Sequence, residues 1–432
     1  MNTRKVTVEQ GILEGEERAG CVIFRGVPYA KPPVEDLRFK APRPCEKWEG
    51  VRQALEFGPQ CPQMDPHEGF YGREFYNDLG YPLPEQSEDC LYLNIWAPAE
   101  KKPGGYPVAM WLHGGAFDHG FSSEMEFDGL AYAMRETILV TVNYRVGVFG
   151  FMAHEDLRRE DVNKSNGNWG ILDQIFALRW LRKNISAFGG NPDRITVFGQ
   201  SAGAMSTQAL ITSPLTRGMI KSAILQSGGG YNNGLTRERS VEEANATGRQ
   251  IMKLCGADTL RDLRYMPAEK LVSCLPKLYE EKGGLCFGPV KDGWVLNEGM
   301  SDSIEKNDIH DIPYILGCTS EDIAMDGITG RESALYKGNM EFARFRKKTS
   351  DENVYLYYFC RQLPGDDAGA FHSSELWYMF GTLDRSWRPM TRQDYRLSGL
   401  MLDCWTNFMK TGDPGNGWRP FDEESRFVRT FM

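Results

Sequence analysis

Apolar residues follow two different rhythms along this chain, and the change comes near residue 107. Before it, the sequence predicts short strands and turns. Val6-Thr7-Val8 is strand-like, and Pro28, Pro32, Pro33, Pro42 and Pro44 break any longer element. After it, compact apolar runs alternate with helical patterns. Residues 107–112 form one run and lead into Gly114-Gly115; residues 137–142 and 194–198 form two more. Residues 221–225 and 311–316 are further short runs of the same kind. Between the second and third runs, Leu172, Ile175, Phe176, Leu178, Leu181 and Ile185 recur at helical spacing. Buried strands alternating with helices predict an α/β protein: a mostly parallel sheet covered on both faces, preceded by antiparallel strands. Ligand chemistry in such a sheet sits at the carboxyl ends of the strands. No repeat or linker divides the chain, so one domain over residues 1–432 is expected.

The chemistry-bearing motifs fall at those strand ends. Gly199-Gln200-Ser201-Ala202-Gly203 follows the run 194–198 and precedes a helix-compatible stretch, 204–210. This is the G-x-S-x-G elbow in its strand–turn–helix context. The turn strains the serine backbone and lifts Oγ above the sheet, while glycines two residues either side admit the neighbouring chain. Trp111-Leu112-His113-Gly114-Gly115-Ala116-Phe117 supplies a small-residue loop directly after a strand. Its backbone amides, with that of Ala202, suit an acyl-transfer serine, which needs N–H donors aimed at the developing oxyanion.

A serine nucleophile needs a base, and the order in this arrangement is serine, acid, histidine. The six histidines are His67, His113, His119, His154, His310 and His372, of which only the last two follow Ser201. His310 lies in the charged stretch Lys306-Asn307-Asp308-Ile309-His310-Asp311 and is expected at the surface. His372, in a loop before an apolar segment, is the expected base. The acid is expected after the run 311–316, where Glu321 and Asp322 stand side by side, only one of which can orient the imidazole.

Composition narrows the partners. A net charge of -9 and a pI near 5.4 argue against nucleic acid. No apolar run is long enough to span a membrane. The N-terminus lacks an apolar signal core, so a cytoplasmic location is expected. Ten cysteines without a C-x-x-C pair indicate neither zinc nor a disulfide scaffold. Neither metal nor organic cofactor is expected, the partner is a small-molecule ester, and the oligomeric state stays open.

Taken together, these residues resemble the type-B carboxylesterase/cholinesterase family over nearly the whole chain. The resemblance rests on Phe24-Arg25-Gly26-Val27-Pro28-Tyr29-Ala30, Ser87-Glu88-Asp89-Cys90-Leu91-Tyr92-Leu93-Asn94 and Asn143-Tyr144-Arg145. It continues through Asn168-Trp169-Gly170-Ile171-Leu172-Asp173-Gln174, Phe188-Gly189-Gly190-Asn191-Pro192, the elbow, and His372 with Phe380-Gly381. It implies an α/β-hydrolase fold and hydrolysis of carboxylic esters through an acyl-enzyme. By position it places the oxyanion amides on Gly115, Ala116 and Ala202, and the acid on Asp322, with Glu321 as the alternative.

Several positions depart from the family pattern. Most members carry glutamate where Asp322 stands, and many carry glutamate where Gln200 stands. The acyl-pocket positions fall on Gly283 and Leu285, smaller residues that imply a roomier pocket; Gln200 and Phe117 are further candidate pocket residues. The choline-binding tryptophan has no counterpart between Cys61 and Cys90, so a cholinesterase is excluded. Cys61 and Cys90 match a family disulfide but are expected to stay thiols in a reducing cytoplasm. The stretch between Asp322 and His372 is about half the family length, which implies a more open entrance and no reliance on the usual dimer helices. An amidase, thioesterase or carbamate hydrolase with the same triad, or a non-catalytic binding protein, are the alternatives.

Overall fold

A single twisted sheet runs through the computed structural model, which describes residues 2–66, 69–76, 82–235, 238–324 and 326–432. Its strands are β1 (Asn2–Val8), β2 (Gly11–Arg18), β3 (Cys21–Pro28), β4 (Val51–Gln53), β5 (Tyr92–Pro98), β6 (Tyr106–Leu112), β7 (Ile138–Val142), β8 (Gly190–Gln200) and β9 (Ser222–Gln226). After a separate small pair, β10 (Arg239–Ser240) with β11 (Val290–Lys291), come β12 (Tyr314–Thr319), β13 (Val354–Phe359) and β14 (Arg429–Phe431). The spatial order is β1-β2-β3-β5-β7-β6-β8-β9-β12-β13-β14, with β4 beside β2. Pairs from β1 to β7 along this order are antiparallel, and all pairs from β7 to β14 are parallel. The five apolar runs read from the sequence become β6, β7, β8, β9 and β12. The strand β13 is an addition to that reading.

Both faces of the parallel half are covered, and alternation along one strand shows how. Val108, Met110 and Leu112 of β6 join one core cluster, while Ala109 and Trp111 join the other. Helices Trp169–Asn184 and Ala202–Thr212 pack into the first, and the helix Arg392–Thr411 covers the second through Met401, Trp405 and Phe408. Strands wrapped on both sides lose the polar alternation of exposed sheets, which explains their continuous apolar sequences.

Register then sets the site. Leu112 pairs with Gly199, Gln200 with Gln226, Gln226 with Gly317, and Gly317 with Tyr357. The carboxyl ends of β6, β8, β9, β12 and β13 therefore form one rim. Every loop carrying a candidate catalytic residue leaves from it. Among the described residues no helix is long and apolar enough to cross a membrane.

Candidate active site

Ser201 stands between β8 and the helix Ala202–Thr212 with φ 56° and ψ −124°, a conformation that costs a non-glycine residue of order 1–3 kcal/mol. Neighbouring chain holds it there. Its N–H donates to the Gln226 carbonyl at 2.8 Å. A methyl group on Gly203 would sit 1.9 Å from the Leu112 carbonyl oxygen, and one on Gly199 would sit 2.4 Å from that of Gly203. The two elbow glycines are thus dictated by backbone packing. Ala202 opens the helix, so its N–H has no intrahelical acceptor.

The loop after β6 curls against this turn. Gly115, Ala116 and Phe117 all have positive φ, at 95°, 55° and 63°. The curl is closed by the N–H groups of Asp118 and His119, which donate to the Gly115 carbonyl at 2.9 and 3.0 Å. Among the described residues, the amides of Gly115 and Ala116 themselves are not spent on a backbone carbonyl. A methyl on Gly114 would lie 3.3 Å from Ser201 Cβ, which measures how closely loop and serine meet. His113 braces the loop: its ring stacks on Tyr144 at 4.2 Å, and its Nδ1 lies 2.9 Å from the Gly114 carbonyl. Burial pushes its pKa down to about 3, so it stays neutral.

His372 Nδ1 meets Asp322 Oδ1 at 2.5 Å, with both side chains buried. Asp322 is itself fixed by the N–H groups of Thr319 and Ile323, each donating at 2.9 Å. Burial pushes the Asp322 carboxyl up, but the facing imidazole and the Thr319 N–H help bring it below its ordinary value. For His372 burial pushes the pKa down, and the Asp322 charge more than reverses that, leaving it raised. Glu321 takes a different place. Its Oε2 accepts the Ala370 N–H at 2.8 Å and its own N–H donates to the Ala370 carbonyl, so it ties down the loop carrying His372. The adjacent carboxylates point apart, and Asp322 is the one on the ring.

Ser201, His372, Gly114, Gly115, Ala116, Gln200 and Leu285 line one cavity of about 280 Å³. A wider surface groove of about 730 Å³ lies elsewhere, around Arg38, Glu88 and Arg264. The Gln200 amide nitrogen sits 3.2 Å from His372 Nε2 and 3.5 Å from Nδ1. Near-equal distances to both ring nitrogens place it beside the ring as a whole rather than on the Nε2 lone pair.

Three expectations need correction. Phe117 does not line the cavity: it is buried against Phe151, ring centroids 5.1 Å apart. Gly283 is the left-handed cap of the helix Leu275–Lys282 and also lies off the cavity. His310 is not a surface residue but 4% exposed, its Nε2 3.3 Å from Thr216 Oγ1, and burial lowers its pKa to about 4. His67 lies outside the described residues.

Sequence reasoning also missed residues that shape the site. Glu375, three positions after His372, is wholly buried, and burial with the nearby Asp322 charge raises its pKa to about 7. Glu124 and Glu126 line the cavity wall; their i, i+2 spacing just beyond the Gly-Gly loop was the available signal. Arg388 bonds Glu74 through Nε and Nη2, both at 2.9 Å, and Asp366 at 2.8 Å. It lies over the Phe371 ring at 5.3 Å and so clamps the segment that carries His372.

With this geometry in place, comparisons place the chain among known proteins. The sequence profile described as "Carboxylesterase family" matches residues 2–333 and 331–431. The two parts meet inside the shortened stretch between Asp322 and His372. Para-nitrobenzyl esterase of Bacillus subtilis (strain 168) is 34% identical, covering 99% of this chain and 94% of that protein. Fumonisin B1 esterase of Sphingopyxis macrogoltabida is 38% identical over 73% of this chain and 55% of its own length. A solved thermophilic PNB esterase superposes with a TM-score of 0.87 at 33% identity, covering 100% of this chain and 96% of its own. Profile, relatives and superposition agree with the α/β-hydrolase architecture, and the chain belongs to the carboxylesterase family, as a hydrolase of carboxylic esters.

Proposed function

We propose that Ser201, His372 and Asp322 carry out this hydrolysis through an acyl-enzyme. The observation that carries the reading is the short His372–Asp322 contact, with His372 lining one cavity together with the strained serine. Ser201 Oγ attacks the ester carbonyl carbon while His372 Nε2 takes its proton. The carbonyl oxygen becomes an oxyanion, received by the amides of Gly115, Ala116 and Ala202. The carbon–oxygen bond to the alcohol breaks as His372 returns the proton to that leaving oxygen. Water then attacks the acyl carbon with the same proton relay, releasing the acid and restoring Ser201. Asp322 keeps the Nδ1–H donated towards itself, leaving Nε2 as the acceptor, and stabilises the imidazolium.

Gln200 and Leu285 take part in substrate contact on this reading, since both line the cavity. The chain acts as one domain over residues 1–432, because a single sheet joins β1 to β14. A cytoplasmic setting is the one in which Cys61 and Cys90 stay as the thiols they are here. The decisive substitution is Ser201→Ala. On 4-nitrophenyl acetate it lowers kcat by about 10⁴-fold or more; a variant that retains wild-type turnover contradicts the assignment.

A further inference from the structure

The wall of the cavity carries two carboxyl groups that ester hydrolysis itself does not use. Glu124 and Glu126 lie on the loop after β6, are 8% and 1% exposed, and line the same cavity as Ser201 and His372. Glu124 has a scaffold use: its Oε1 accepts the Phe121 N–H at 3.0 Å. Glu126 is different. Its Oε2 is fully buried and has no hydrogen-bond partner among the described residues. Burial raises both carboxyl groups above the ordinary carboxyl range, and the Glu124 charge raises Glu126 further. Neighbouring buried carboxyl groups resist being ionised together, and a cation beside them favours their ionised form.

Two basic groups lower these carboxyl groups through their charge, His119 acting on Glu124 and Arg385 on Glu126. Arg385, a cation whose field reaches Glu126, bonds Asp128 at 2.5 Å and the Met125 carbonyl at 2.9 Å. The half-exposed His119 on the cavity rim has Nδ1 3.6 Å from Asp118. An apolar side chain at 126 would complete the wall without the desolvation cost, which is several kcal/mol for an ion. The cavity that the pair lines also carries the rings of Tyr71, Phe75, Tyr76 and Phe127. Aromatic faces attract cations and repel anions.

We propose that Glu124 and Glu126 form a subsite for a protonated amine, so that the enzyme acts preferentially on esters whose acyl or alcohol part carries an ammonium group. The ammonium donates N–H bonds to the buried carboxylate oxygens and lies among the aromatic rings. This inference rests on the reading of the cavity as the ester-hydrolysing site.

The test uses two isosteric pairs of esters. On the alcohol side, 3-(dimethylamino)propyl benzoate is compared with 4-methylpentyl benzoate. On the acyl side, methyl 4-(dimethylaminomethyl)benzoate is compared with methyl 4-isobutylbenzoate. In at least one pair, kcat/KM of the wild type favours the ammonium ester by about tenfold, the size of one charge-assisted contact. Glu126→Gln, and the double change with Glu124→Gln, bring that ratio to about one. A wild-type ratio at or below one in both pairs overturns the subsite, as does a ratio that survives the double change. Should the variants fail to fold, inhibition of the wild type decides: benzylamine binds about tenfold more tightly than benzyl alcohol, and equal or weaker binding overturns it. Ser201→Ala separates the two claims. Loss of every ester activity with no ammonium preference in the wild type rejects the subsite alone, whereas activity that survives Ser201→Ala rejects the hydrolytic reading beneath it.

Discussion

At the scale of single residues, the His372–Asp322 pair governs how activity depends on pH. His372 must be neutral to accept the Ser201 proton, and its pKa is raised above 6.5 by the Asp322 charge against the opposing effect of burial. The acid limb of the kcat/KM profile therefore has an apparent pKa above 6.5. Stability moves the other way. A raised histidine contributes fully below its unfolded value and loses that contribution as pH climbs through its folded value. The lowered Asp322 contributes above 3.8 and loses it as pH falls through its own folded value. Asp322→Asn leaves burial unopposed by that charge, so the acid limb shifts to lower pH while kcat drops by about 10⁴-fold. Glu321→Gln still offers an oxygen to the Ala370 N–H and keeps kcat within about tenfold. Steady-state profiles of the two variants check both statements; an unchanged limb in Asp322→Asn contradicts the pairing. Gly203→Ala tests the elbow itself. A methyl 1.9 Å from the Leu112 carbonyl forces backbone apart, costing about 1–3 kcal/mol by denaturant unfolding with loss of turnover.

At the scale of elements, the site depends on a loop being held, since His372 sits on neither helix nor strand. Two devices hold it: Glu321 bonded to Ala370, and Arg388 bridging Glu74 of the helix Gly69–Phe75 to Asp366. Arg388 and Glu74 have wholly buried side chains. Removing Arg388 leaves the buried Glu74 only the longer contact to the half-exposed Arg73 at 3.2 Å, so Arg388→Leu costs about 3 kcal/mol and lowers kcat through the displaced loop. Replacing Glu74 by leucine in the same protein recovers part of the stability. Thermal unfolding of the single and double variants measures this, and a double variant no better than Arg388→Leu contradicts the clamp. Five strands of the parallel half were legible because both their faces are buried, leaving continuous apolar runs. The strand β13, Val-Tyr-Leu-Tyr-Tyr-Phe at 354–359, belongs to the same class. Its sequence lies between Asp322 and His372, the stretch in which the two matched parts of the family profile meet. His310 was misread for a local reason: charged neighbours surround it in sequence, while its ring turns towards Thr216. Phe117 and Gly283 differ from their expected places because tertiary packing decides them: Phe117 packs on Phe151, and Gly283 ends the helix Leu275–Lys282 in a left-handed turn.

At the scale of the whole molecule, the sheet does one thing for function: it brings residues 115, 201, 322 and 372 to a single rim. The long-range pairing that achieves this is read from order along the chain, since serine, acid and histidine each follow a strand. The buried carboxyl groups are not readable that way: Glu124 and Glu126 in the cavity wall, and Glu375 behind His372, become site residues only through burial. Leu285, 54% exposed, and Ile323, 40% exposed, line the outer part of the cavity. Leu285→Trp narrows that entrance and lowers kcat/KM for 4-nitrophenyl decanoate relative to the acetate by about tenfold, a steric cost of roughly 1–3 kcal/mol. Equal effects on both esters place residue 285 away from the substrate path.

Covalent capture of the nucleophile tests the triad most directly. After treatment with paraoxon, peptide mass spectrometry is predicted to find one diethylphosphoryl group per chain, on the peptide bearing Ser201, in step with loss of activity. Full inactivation with the label on another residue, or activity that persists once Ser201 is fully labelled, would contradict it.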